Sequence, residues 1–135
     1  MTDAGYSGTP LGKKLGYRSG MRVFVDGLPD PIRHAVEKSI DAKPDWQTLP
    51  GSNLEAAHIF VTGRAALEAK AAALLLLLPP SGFIWVSWPK KSSKVPADIT
   101  EDVIREVCLP MGLVDVKVCA IDAVWSGLKL MRRRT

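Results

Sequence analysis

Three apolar runs, Met21 to Val25, Ala57 to Val61 and Phe83 to Trp88, are each closed by turn residues and then followed by a stretch of helix formers. A strand that leads into about ten or more helical residues cannot turn straight back on itself, so each unit demands a crossover and a parallel neighbour. Such crossovers are right-handed in nearly all sheets, which leaves few ways to assemble them. The runs are continuous rather than alternating, as strands covered on both faces must be. The pattern predicts an α/β fold, a three-layer sandwich on a mostly parallel sheet.

The remaining segments fill in that frame. Asp26-Gly27 closes the first run, and Pro29-Asp30-Pro31 starts a helix to about Ile40, since proline suits a first helical turn. Asp41 to Glu55 carries Pro44, Pro50, Gly51 and Asn53 and reads as an irregular loop with room for one edge strand at residues 46–49. Thr62-Gly63 closes the second run. Arg64 to Leu78 is then made of strong helix formers, with apolar residues around so much of its circumference that a buried helix is expected. Glu68 and Lys70 precede its most apolar part and Pro79-Pro80 end it, so it falls short of the about 20 apolar residues a membrane span needs.

After the third run Pro89 blocks further pairing. The loop Lys90 to Val95 follows, and Asp98 is placed to cap a helix to about Met111, with Glu101 three residues on and Gly112 as terminator. Val114 to Ile121 and Gly127 to Arg132 read as two strands separated only by Asp122 to Ser126, short enough for an antiparallel hairpin.

A chain of 135 residues, 47% of them apolar, suffices for one core, and a single domain is expected, with residues 1–20 as an N-terminal arm and short helix. The net charge of +4 and the pI near 9.2 are mildly basic. Arg132-Arg133-Arg134 supply much of that excess, and no nucleic-acid module is readable, so a nucleic-acid partner is not expected. Cys108 and Cys119 lack partners at metal-ligand spacing and read as core thiols; with no signal peptide evident, a cytoplasmic location is expected. His34 and His58 have no second ligand at metal spacing, so no metal is expected. No catalytic triad, nucleophile elbow or phosphate loop is present to name a reaction.

Ligands of open α/β sheets sit outside the carboxyl ends of the parallel strands. That edge nominates Asp26, Gly27, Thr62, Arg64 and Trp88 at strand ends, the loop residues Lys90, Lys91, Ser92, Ser93 and Lys94, and Asp122 and Trp125 at the hairpin. The loop offers ammonium and hydroxyl donors beside a helix start, which suits a small anionic ligand. Charge alone does not suffice: a surface pair contributes about 0.2–1 kcal/mol and micromolar affinity needs about 8 kcal/mol. A pocket with aimed backbone donors is therefore required. Trp85 and Trp88, three apart on a strand, should face opposite ways. Gly5 to Thr9 has the content of a flap over the same edge.

Four motifs, GYSGTPLGKKLG at 5–16, WVSWPKK at 85–91, TEDVIREV at 100–107 and GLVDVKVCAIDAVWSGLK at 112–129, together resemble a bacterial domain-of-unknown-function family of small proteins. That resemblance spans nearly the whole chain and implies kinship without an activity. More distantly, a helix leading into Gly20-Met21-Arg22-Val23, Leu78-Pro79-Pro80-Ser81-Gly82 before a strand, and the closing hairpin are similar to the Rossmann-like fold of class I S-adenosylmethionine-dependent methyltransferases. The resemblance implies a last strand inserted between the two before it. It also implies S-adenosylmethionine as cofactor, held by a Gly-rich turn after the first strand and an acidic residue ending the second. Here Gly27 alone precedes Leu28-Pro29-Asp30-Pro31, and no such acidic residue is identifiable, so the cofactor stays open. Two function classes follow. One is a protein that binds a small anionic ligand at the carboxyl edge; the other is an interaction or homo-oligomerising protein that kept the fold after losing the cofactor turn.

Overall fold

The structure is a computed structural model that describes residues 9–133; apart from Thr9, the proposed flap at 5–9 lies outside them. Its elements run α1 (Leu11–Leu15), β1 (Arg22–Asp26), α2 (Asp30–Ile40), β2 (Asp45–Gln47), β3 (Ala56–Phe60), α3 (Arg64–Leu75), β4 (Phe83–Pro89), α4 (Glu101–Cys108), β5 (Leu113–Ala120) and β6 (Trp125–Arg132). The six strands form one sheet in the order β2-β1-β3-β4-β6-β5. β1 to β4 pair in parallel, and β6 runs antiparallel between β4 and β5. The last strand thus enters the sheet between the two before it.

Two apolar layers hold the sheet. One face packs Val23, Val25, Phe60 and Trp85 against Leu15 of α1 and Ile32 and Val36 of α2. The other packs Ile59, Val61, Ile84, Val86 and Trp88 against Leu67, Ala71 and Leu74 of α3 and Ile104, Val107 and Cys108 of α4. The alternation along β4 sends Trp85 and Trp88 to opposite layers, and both are buried. Trp85 also donates its indole N–H to the Leu15 carbonyl at 2.8 Å, tying α1 to the central strand. α1 approaches α2 so closely at Gly12 that a Cβ there would lie 2.7 Å from Ile40 Cγ2, so glycine is needed at that crossing.

Three details differ from the sequence reading. The edge strand is Asp45–Gln47, paired with β1 at Arg22, Val23 and Phe24, and Trp46 covers Tyr17 edge-on while donating to Glu37 at 2.8 Å. α3 lies at the surface: only Leu67, Ala71 and Leu74 of it are buried, and Leu76 just beyond is 87% exposed. A helix rich in alanine tolerates water on most of its circumference because each exposed methyl costs little, so one leucine stripe suffices to dock it. Finally, Asp98 does not cap α4. Thr100 does, accepting from the Val103 N–H at 3.2 Å, and Asp98 is used elsewhere.

Both cysteines are buried free thiols, with Cys108 pushed up to about 11 by burial. Among the described residues no helix is long and apolar enough to cross a membrane.

Candidate functional site

The carboxyl ends of β1, β3 and β4, the start of β6, and the first turns of α2, α3 and α4 form one edge of the sheet, and the nominated residues all lie along it. Most of them fall into three separate bonded groups. Asp26 at the end of β1 pairs with Lys70 of α3, Oδ2 to Nζ 2.8 Å. Thr62 accepts the Asp98 N–H through its carbonyl at 3.0 Å, and Asp98 in turn accepts the Arg64 N–H at 2.7 Å. The Arg64 guanidinium holds Glu106 at 2.9 Å and Glu68 at 3.5 Å, and both carboxylates, Glu106 first, raise its pKa against the opposing effect of burial.

The third group closes the hairpin. Lys90 donates its ammonium to the Asp122 carbonyl and its backbone N–H to the Val124 carbonyl, each at 2.7 Å. The Asp122 carboxylate accepts from the N–H groups of Val124 and Trp125, at 2.9 and 2.7 Å, an aspartate turn that shapes the hairpin. Trp125 packs edge-on against Phe60 with centroids 5.1 Å apart. Trp88 is buried beneath this edge. Ser93 donates to the Lys90 carbonyl at 2.7 Å and accepts from Val95, folding the loop upon itself. Lys91, Ser92 and Lys94 are exposed. Lys90 and Asp122 therefore meet, but through a carbonyl; Asp26 does not join them in any recorded bond.

Asp98 occupies the start of α3, the place an anion would otherwise take. Removing it should cost about 1 kcal/mol, as loss of a helix cap does. The expected result for Asp98→Ala is a lower urea midpoint with an unchanged m-value, and Asp98→Asn should recover most of the loss.

Sequence reasoning missed the most buried polar group. His58 on β3 bonds the Tyr17 hydroxyl through Nδ1 at 2.9 Å and the Ser87 hydroxyl through Nε2 at 2.7 Å. Both partners are hydroxyls, which can donate or accept, so a neutral ring finds a partner at each nitrogen. Burial lowers its pKa to about 3. Burial likewise keeps Tyr17 protonated far into the alkaline range. His58 is 1% and Ser87 0% exposed, so this group joins β3, β4 and the segment after α1 on one face of the sheet and has no route to a substrate. The signal available was Ser87 within an otherwise apolar strand opposite a histidine strand, since a buried hydroxyl needs a partner.

No family model matches the sequence, and no curated protein does. Solved structures with the same fold do. Mitomycin 7-O-methyltransferase MmcR is 13% identical, with 92% of this chain aligned to 53% of that one at a TM-score of 0.64. A SAM-dependent methyltransferase from Aquifex aeolicus is 13% identical over 89% of this chain and 86% of its own, TM-score 0.62. The ribosomal protein L11 methylase from Lactobacillus delbrueckii subsp. bulgaricus is 12% identical over 92% and 76%, TM-score 0.57. The chain thus spans about half the length of the first of these. At such identities the likeness defines a class of fold: Rossmann-like, as in S-adenosylmethionine-dependent methyltransferases.

The residues at the first turn do not fit the cofactor that this fold implies. Gly27 has φ 77°, a left-handed conformation that itself calls for glycine, and it is the single glycine between β1 and α2. Pro31 has no N–H, and those of Ile32 and Arg33 return to the Pro29 carbonyl at 3.1 and 3.0 Å. β2 ends in Gln47 and is followed by Thr48 and Leu49, so no carboxylate stands where the ribose would be held.

Proposed function

We propose that this chain is an interaction protein on a methyltransferase-like fold, acting through its surfaces and without transferring a methyl group. The observation that carries this reading is the use of the carboxyl edge: Asp26, Arg64, Lys90, Asp98 and Asp122 bond to groups of the same chain. Each is held in place by that partner, and a ligand that displaced the partner would exchange one bond for another. A buried or half-buried donor exchanged in this way gains little, because the net worth of one hydrogen bond is about 1 kcal/mol while leaving a partner unmet costs about 1–3 kcal/mol. Apolar side chains meanwhile face water along β5, where Val116 is 51% and Val118 46% exposed.

A second reading, a small anionic ligand at the same edge, is supported by the exposure of Lys91, Ser92 and Lys94 beside the bonded groups. Melting curves separate the two. A ligand present at about 100 times its Kd adds about 2.7 kcal/mol to stability, several degrees in melting temperature. With S-adenosylmethionine, S-adenosylhomocysteine, ATP and inorganic phosphate at millimolar concentration, the expected result is no shift. A shift with either adenosyl compound overturns the proposal. A shift with phosphate or ATP that Lys91→Ala plus Lys94→Ala abolishes moves the function to the second reading.

A further inference from the structure

The sheet separates its charges across β5. On the side of α4, Asp115 is held by Arg105 at 3.0 Å, and Arg105 also pairs with Glu101 and Asp102. On the side of α1, the charges that the described residues of β5 and β6 present are lysines. Lys117 and Lys129 are opposite each other in the ladder, and like charges directly opposite repel. Lys117 donates to the Lys14 carbonyl at 3.2 Å, and Lys129 lies 4.3 Å over the Phe83 ring. Among the described residues, no carboxylate lies within ion-pair distance of Lys14, Lys117 or Lys129.

One rung along the same face, Val114 is opposite Met131, and the register shifts between Asp115 and Lys117. The extra residue, Val116, is turned out by that bulge. These side chains line a groove of about 830 Å³ closed by Pro80, Ser81 and the last two arginines described. Those arginines are engaged: Arg132 donates to the carbonyls of Leu75 and Leu78, and Arg133 to that of Leu109. An aliphatic floor therefore adjoins a rung of lysines that have no counter-charge among the described residues.

We infer that this groove, at the amino-terminal side of β5 beside Lys117 and Lys129, docks an acidic, leucine- or valine-bearing segment of a partner protein. The inference rests on the interaction reading above and names its surface. The chemistry selects the occupant by charge and shape: valine and methionine take aliphatic side chains, and carboxylates answer the lysines. A nucleic acid would want an open aromatic face, and Phe83 is only 8% exposed. A second copy added along β5 by two-fold symmetry would meet the bulge and bring lysine towards lysine, both of which protect sheet edges from pairing.

The test uses the full chain and a fluorescein-labelled synthetic peptide with leucines along one helical face and glutamates along the other, read by anisotropy. Its control replaces every glutamate by glutamine. The acidic peptide is expected to bind about tenfold more tightly than the control and to weaken as salt rises. Lys117→Glu with Lys129→Glu should reduce binding at least about tenfold, whereas Lys38→Glu with Lys43→Glu, the same charge change on α2 and its following loop, should leave it within about twofold. Amide shifts in the unaltered protein guard against a misfolded variant: the peptide should move the signals of Val114, Val116, Lys117 and Met131. Equal binding of both peptides, or amide shifts confined to other surfaces, overturns the inference. Tighter competition by a single-stranded oligonucleotide or by phosphatidylserine vesicles overturns it as well, as does a dimer that Lys117→Glu disperses. Peptide failure leaves the proposed function standing, and an S-adenosylmethionine shift strikes that reading without touching the peptide result.

Discussion

Between about pH 6.5 and pH 4.5 the protein is expected to lose stability at roughly 1 kcal/mol per pH unit, with a single histidine responsible. Burial lowers the folded pKa of His58 to about 3, from an ordinary value of 6.5. The unfolded chain therefore binds a proton there that the folded chain refuses. Stability from the neutral ring is fully present above about pH 6.5, and it drains as pH falls towards the folded value of about 3. The other histidine, His34, is exposed on α2. Urea unfolding at several pH values reads the slope directly. His58→Gln can still bond Tyr17 and Ser87 but cannot titrate, so its profile should be flat from about pH 6.5 to pH 4.5. An equal slope in that variant would remove His58 from the account.

The largest single loss is expected at Trp85. Its side chain is fully buried and its indole N–H meets the Leu15 carbonyl. Trp85→Ala should cost about 3–5 kcal/mol by cavity formation, against a total of about 5–15 kcal/mol for an ordinary domain. Trp85→Phe keeps most of the apolar contact and leaves the carbonyl unmet, so about 1–3 kcal/mol is expected. Denaturant midpoints order the series, with Ala below Phe below the unaltered chain. A Phe variant as damaged as the Ala variant would mean that the α1 tether, and not the filled volume, dominates at this position.

The central strands were legible because burial on both faces leaves its mark in consecutive residues: Ala57 to Val61 and Phe83 to Trp88 could be little else. β2 was hard to read for the opposite reason. An edge strand of three residues needs only a few backbone pairs from β1, and Pro44 and Pro50 on either side resemble a loop. α3 was placed too deep because alanine counts as apolar while tolerating water. Asp98 was assigned to the wrong helix because a capping pattern is local, whereas the α3 start is brought beside it by the crossover. The same holds at the candidate site. Topology alone put Asp26, Lys90 and Asp122 at the carboxyl edge, but their partners depend on how helix and hairpin settle: Lys70, which pairs with Asp26, lies on α3, two strands further along the chain, and no local spacing reports such a meeting.

The position of β6 has a consequence for how the chain must be made. β4 is buried along its full length, and the neighbour on its outer side is the last strand to leave the ribosome among the elements described. Until Trp125 to Arg132 emerges, a nascent chain holds this seven-residue buried strand with one side bare and its hairpin half missing. Assembly of the sheet centre therefore waits on synthesis of its final strand, and a stop anywhere before Trp125 exposes an aggregation-prone edge where ordinary loss of a terminal strand would only fray a border.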